Sequence, residues 1–186
     1  MTILYVITRG LTFFGAVLRN CWEHVACRIL KIPVEDTRVF RKDEMCGHVE
    51  HELCESLKQS FFVVWFPFTM SFLMGVACLL TGSYRLFFIG EKDSLQTYAL
   101  VWLGVSYLAN CAPSFEDMLT LKGYLFSERS KVKKVVLSPF FAVVCSSAYL
   151  EKYSLTFILS IAFAVVFPKI FNILFPLFDL IDQMMY

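Results

Sequence analysis

One run dominates this chain. From Gln59 to Tyr84 there is no charged residue at all. A helix that crosses the hydrocarbon core of a bilayer needs ~20 consecutive apolar residues. A water-soluble fold would have to bury the whole run. Pro67 lies inside it and predicts a kink, which membrane helices tolerate. A second uncharged run extends from Ser94 to Phe115. Apolar residues make up 58% of the chain and charged ones only 18%, more apolar surface than one soluble core of this length needs. The net charge of +1 gives no electrostatic footprint for nucleic acid. The seven cysteines lie mostly in or beside apolar segments, without disulfide-framework spacing. Buried, reduced thiols are expected.

These runs order the rest of the chain. Thr2 to Leu18 is apolar except for Arg9, lacks a signal-peptide cleavage pattern and predicts a first helix reaching about Leu30. Arg9 either snorkels to the outer interface or faces the bundle. Lys31 to Glu55 reads differently. Alternation in Thr37-Arg38-Val39-Phe40 and the later Gly47-His48-Val49-Glu50-His51-Glu52 predict two short strands around the charged turn Arg41-Lys42-Asp43-Glu44. After Glu116-Asp117 an amphipathic stretch runs to Phe126, and a basic cluster comes next at Arg129, Lys131, Lys133 and Lys134. Val135 to Leu150 and Tyr153 to Phe167 are apolar again. Pro168 and Lys169 interrupt the last run before Ile170 to Phe178. That final piece either continues the fifth span or lies at the interface.

The expected fold is therefore an all-α polytopic membrane protein forming a single integral membrane domain, 1–186. It has about five spans, at about 3–30, 59–84, 95–115, 135–150 and 153–178, and a small cytoplasmic β-hairpin at about 32–52. Lys and Arg concentrate in the first-to-second and third-to-fourth connections. The positive-inside rule puts both in the cytoplasm and the amino terminus outside or in a lumen. Arg19 to Arg28 and Asp117 then lie near the same cytoplasmic face.

The stretch Arg19-Asn20-Cys21-Trp22-Glu23-His24 is polar but continues an apolar helix. Such residues are expensive in a membrane unless they face protein or a wet cavity. The strings on their carboxyl-terminal side form a pattern. Ala26-Cys27-Arg28-Ile29-Leu30-Lys31-Ile32-Pro33-Val34-Glu35, then Gly47-His48-Val49-Glu50-His51-Glu52, Pro67-Phe68 and Ala112-Pro113-Ser114-Phe115-Glu116-Asp117 occur in that order. The ordered set resembles the site-2-protease type of intramembrane zinc metallopeptidase over about residues 10 to 125. The resemblance implies a first span with H-E-x-x-H, a strand hairpin, and a third zinc ligand from the Phe-Pro-Ser-x-x-Asp element, here Asp117.

The departure lies at the centre of the match. Alignment on Ala26-Cys27-Arg28 puts Arg19 and Glu23 at the two histidine positions and Asn20 at the general-base glutamate. Zinc chemistry of this kind needs two neutral imidazoles on one helix face and a carboxylate to take a proton from metal-bound water. Arg19 is a cation that only donates, and Asn20 cannot accept and return a proton. Glu23 either ligates a metal or pairs with Arg19 at i,i+4, and the pair is the favoured reading. A shift by one residue puts Asn20, Cys21 and His24 at the key positions and spoils the Ala-Cys-Arg match.

Other groupings have plainer readings. His24, His48 and His51 with Cys21, Cys46, Glu50 or Asp117 can be drawn as a nonstandard metal site, but interface histidines that bond locally fit better. Cys21 beside His24 lacks an orienting third group for nucleophilic catalysis. The lysine cluster fits a topology and anionic-lipid signal.

The reading is a noncatalytic site-2-protease-like integral membrane protein. It binds or shields a transmembrane partner in its cleft, with no catalytic residue and no cofactor, Arg19, Asn20 and Glu23 being degenerate positions. Two alternatives stand beside it. One is an active intramembrane metallopeptidase holding zinc on Glu23, His24 and Asp117. The other is a structural subunit of a membrane complex.

Overall fold

The structure is a computed structural model and describes residues 3–36, 49–90, 94–166 and 168–169. Helix α1 spans Ile3–Leu11 and α2 Phe13–Leu30. Two short strands come next, β1 (Val34–Asp36) and β2 (Glu50–His51). Helix α3 (Leu57–Tyr84) continues through a π-helical turn at Arg85–Ile89 and stops at Gly90, whose φ of 72° suits a residue without a Cβ. Beyond it lie helices α4 (Leu95–Ala109), α5 (Phe115–Ser127), α6 (Lys131–Lys152) and α7 (Leu155–Val166).

Two of these helices are long and apolar enough to cross a bilayer. They are α3 with its extension, Leu57–Phe87, and α6, Lys131–Lys152. Only 33% of the apolar window in the first and 11% in the second is buried within the protein. The core helix of a soluble protein would be mostly covered. Here large apolar side chains such as Leu73, Val135, Ile158 and Leu159 lie outward, while Arg9, Arg19, Asn20, Glu23 and Glu151 lie inward. That inversion is what a lipid surround selects, and it marks a membrane protein.

The five-span expectation is overturned. The run expected to cross at 95–115 is helical only to Ala109, so α4 is 15 residues, about 22 Å, short of the ~30 Å hydrocarbon thickness. Pro113 disfavours helical geometry at the residue before it, and residues 110–114 run as buried irregular chain. The span expected at 3–30 is two helices broken at Thr12, with four ionisable or amide side chains turned inward. Helix α7 is a 12-residue apolar helix, and Ile170 to Phe178 lies outside the described residues. The fourth run is longer than the 135–150 expected. Ser130 caps the helix by accepting from the Lys133 amide, so the basic cluster forms its first turn.

The expected hairpin at 32–52 is also not sustained as an element. In its place is a pairing of three residues with two. It is antiparallel, with Val34 opposite His51, Asp36 opposite Glu50 and a register irregularity between them. The turn expected at 41–44 and His48 lie outside the described residues.

Polar bonds explain how the helices sit. The break at Thr12 leaves carbonyls that an apolar surround cannot satisfy. Helix α4 satisfies them. Trp102 donates from Nε1 to the Leu11 carbonyl at 3.1 Å, and Ser106 and Asn110 donate to the Thr12 carbonyl at 2.9 and 3.0 Å. The Gly15 amide donates back to Ser106 Oγ at 2.8 Å. Helices α3 and α4 run antiparallel, with Gly75 against Leu108, Gly104 against Leu79 and Gly82 against Val101. Small residues there let the backbones approach, as membrane interfaces require. Tyr124 of α5 donates its hydroxyl to the Cys54 carbonyl just before α3. Phe61 and Trp65 of α3 pack against Phe140 of α6. The starts of α3 and α6 therefore lie at one end of the bundle. At the other end of α6, Glu151 pairs with Arg9 of α1, both buried.

Gly15 gives the sharpest test of this packing. A Cβ at this position would meet the Ser106 carbonyl oxygen at 2.0 Å. We expect Gly15→Ala to force α2 and α4 apart and to lose roughly 1–3 kcal/mol or more of stability. Gly10, whose Cβ would meet nothing, should accept Ala without loss. Thermal unfolding of both variants in detergent checks the pair.

Candidate functional site

The buried face of α2 carries a further set of inward-turned polar residues. Gly15, Ala16, Arg19, Asn20, Glu23, Ala26 and Cys27 form one buried stripe along that helix. Spacings of three and four residues keep them on one face. The helix ends at Lys31, which takes the left-handed conformation with φ of 55°. The Ile32 amide then bonds the Cys27 carbonyl at 2.9 Å, a Schellman-like closure. Ile32 packs with Cys27, Cys54 and Val63, and this apolar knot fixes where Pro33 and β1 leave the helix.

From there β1 carries β2 alongside it, and β2 delivers His51. Its Nδ1 lies 2.8 Å from the Glu52 carbonyl oxygen, and its Nε2 lies 3.3 Å from Asp117 Oδ1. Asp117 stands in the first turn of α5. Ser114 caps that helix twice over, accepting from the Asp117 amide at 2.9 Å and donating to Asp117 Oδ2 at 2.6 Å. The first bond is an N-cap, and the second, side chain to side chain, holds the carboxylate against the helix start.

Glu23 reaches the same place from α2. One donor atom each from Glu23, His51 and Asp117 lies within 4.8 Å of the other two. Arg19 Nη2 bridges to Glu23 Oε2 at 3.4 Å, and both side chains are 2% exposed. This is the i,i+4 pair expected from the sequence. Four buried atoms here have no hydrogen-bond partner: Arg19 Nε and Nη1, Asn20 Oδ1 and Glu23 Oε1. Unpaired buried polar atoms are costly, and natural structures carry few of them.

Hydrogen bonding to Asp117 raises the His51 pKa to about 9, with burial opposing. The imidazole is thus protonated at neutral pH, and the contact is an ion pair. Burial pushes the Cys54 thiol up to about 11, which leaves it inert. Cys27 and Cys111 are buried as well, and Cys21 is exposed. The exposed Cys21 departs from the expectation of buried thiols. Among the described residues all six cysteines are free.

Beside the His51–Asp117 pair opens a groove of about 190 Å³. Its walls come from β2, α3 and α5, including Leu53, Val63, Ser114 and Thr120. The expected residues are thus sorted. Arg19, Asn20 and Glu23 lie on the buried face of α2, and Glu23 meets Asp117 of α5. His24 is half-buried and stands outside the three-donor group. His51 enters it instead. The sequence singled out Asp117 through the resemblance and left His51 as an interface histidine, because their contact is made by tertiary packing.

The zinc implied by the resemblance can be tested against these residues. The ligand positions it implies do not fit zinc: Arg19 is a buried cation where the resemblance puts the first imidazole, and Asn20 stands where it puts the base. Comparison with protein families, curated proteins and solved structures finds no match.

The bridge itself is testable. Removing one partner of a buried ion pair strands the other charge at a cost of about 3–5 kcal/mol, whereas replacing both by apolar groups is often neutral. We expect Glu23→Met to destabilise by that amount. The double variant Arg19→Met/Glu23→Met should recover most of the loss. Chemical unfolding of the two variants and the parent measures the difference.

Proposed function

We propose that this chain is a noncatalytic relative of the site-2-protease type, and that it holds a segment of another membrane protein in the groove beside His51 and Asp117. The observation that carries this reading is the meeting of Glu23 with Asp117. The resemblance assigns these two residues to metal-ligand positions on separate helices. Their convergence, with Arg19 bridged to Glu23, favours a retained scaffold whose chemistry has been overwritten.

The local chemistry supports binding over hydrolysis. A hydrolytic water needs a neighbouring group that takes and returns its proton. Asn20 has no such capacity. His24 is outside the cluster, so the ligand set Glu23, His24 and Asp117 has no support. The groove is lined in part by His51 of β2, and an extended segment can add its backbone to a strand while side chains enter the groove. The reading extends to topology. We place more than one crossing in the bilayer, the basic stretches before α3 and α6 in the cytoplasm, and the amino terminus outside or in a lumen.

Site-specific crosslinking tests it. A photoreactive residue at Thr120, in the groove, should trap a membrane polypeptide in native membranes. The same residue at Phe72, outward on α3, should trap none. Trapping only from Phe72 would favour a structural subunit that leaves the groove unused. Cleavage of a membrane substrate by the purified protein with added zinc would overturn the noncatalytic assignment.

A further inference from the structure

Glu23, together with His51 and Asp117 from the groove's lining, has the surroundings of metal ligands, although the ligand set implied by the resemblance is absent. We infer that Glu23, His51 and Asp117 together bind a divalent transition-metal ion of the zinc class, with the imidazole supplied by β2 and not by the helix motif. This site does not depend on the partner-binding reading.

Four observations carry it. First, the spacing is close to that of a coordination shell. Tetrahedral ligands about 2.0–2.1 Å from an ion stand roughly 3.3 Å from one another. His51 Nε2 and Asp117 Oδ1 are already 3.3 Å apart, and the Glu23 donor lies within 4.8 Å of both. Second, His51 is oriented as metal-bound histidines are. Nδ1 faces the Glu52 carbonyl at 2.8 Å, so an Nδ1–H donated there leaves the Nε2 lone pair toward the other two ligands. Third, Asp117 is steadied from behind by the Ser114 hydroxyl through its other oxygen. Fourth, Glu23 is 1% exposed and its Oε1 has no partner, while Oε2 is held by Arg19. It can give Oε1 to an ion without releasing the bridge.

Charge agrees with this. Two carboxylates, one guanidinium and a neutral imidazole sum to −1, and a divalent ion brings the site to +1. When the ion binds, the proton on His51 Nε2 leaves to bulk water and the metal takes its place. An imidazole with two carboxylates suits zinc-class ions better than Mg²⁺, which prefers an octahedral oxygen shell. The role is mechanical. The ion ties β2 to α2 and α5, and without a base at position 20 its bound water is not activated for hydrolysis.

The test uses the full chain, purified in detergent, stripped with a chelator and titrated with zinc chloride. We expect about one zinc per chain after desalting. We also expect a raised unfolding temperature with zinc but not with magnesium, and visible cobalt bands of four-coordinate type on cobalt substitution. His51→Gln should weaken zinc binding at least about tenfold, since even outer-shell changes cost that much. The near-isosteric Glu23→Gln and Asp117→Asn give the same readout if His51→Gln does not fold. His24→Gln should leave zinc binding unchanged. No zinc on the parent protein, or retention of full affinity in folded His51→Gln, overturns the site. Loss of zinc in His24→Gln with retention in His51→Gln does so too. Crosslinking from Thr120 reads partner capture separately, so failure of either idea is distinguishable from failure of the other.

Discussion

A charge carried into the interior of a lipid-facing bundle has to meet an opposite charge there, because neither lipid nor the apolar packing can solvate it. Three contacts in this protein obey that rule. Arg9 meets Glu151, Arg19 meets Glu23, and His51 meets Asp117. The first ties the amino-terminal helix to the far end of α6. The third ties a strand to α5. The second lies within α2 and has an unusual consequence. It satisfies one nitrogen of Arg19 and one oxygen of Glu23, and leaves the remaining donors and the second oxygen unpaired. Where α2, β2 and α5 converge, charge is matched but hydrogen bonding is incomplete.

Backbone polarity obeys the same rule as side-chain charge. The break at Thr12 and the irregular stretch 110–114 are buried places where the chain departs from helix. Carbonyls at both are met from a neighbouring element. Trp102, Ser106 and Asn110 serve the break, and Thr156 donates to the Ala109 carbonyl at 3.0 Å. The second irregularity has a positional result. Ending α4 at Ala109 allows Ser114 to start a new helix, and the cap of that helix aims Asp117 at His51. A continuous span from 95 to 115 would have left Asp117 with no such direction.

The same contrast separates what could be read in the sequence from what could not. The body of α3 was legible because absence of charge is a local property that length alone interprets. The helical pair Arg19 and Glu23 was legible for a similar reason, since i,i+4 neighbours meet whatever the fold does. The early end of α4 was not legible from hydropathy. Residues 110–114 are as buried as the helix before them, and only Pro113 hints at the break. The count of five spans failed on the same point, for hydropathy registers burial in lipid and burial in protein alike. Arg9 was left with two choices, and its partner Glu151 lies at the other end of the sequence, where no periodicity can reach it. His51 was undervalued because its neighbours in sequence are not its neighbours in space.

The residue at position 19 shows why function cannot be inferred from which polar residues are missing. Under the resemblance alone, Arg19 signals only loss. Judged by where it sits, it compensates Glu23 and holds one of its oxygens, while the other is buried without a hydrogen-bond partner. A guanidinium cannot lose its charge or rotate out to water from a site that is 2% exposed. It therefore stays beside the Glu23 carboxylate at any working pH. Glu23 is thus held on the α2 side of the group it forms with His51 from the strand and Asp117 from α5.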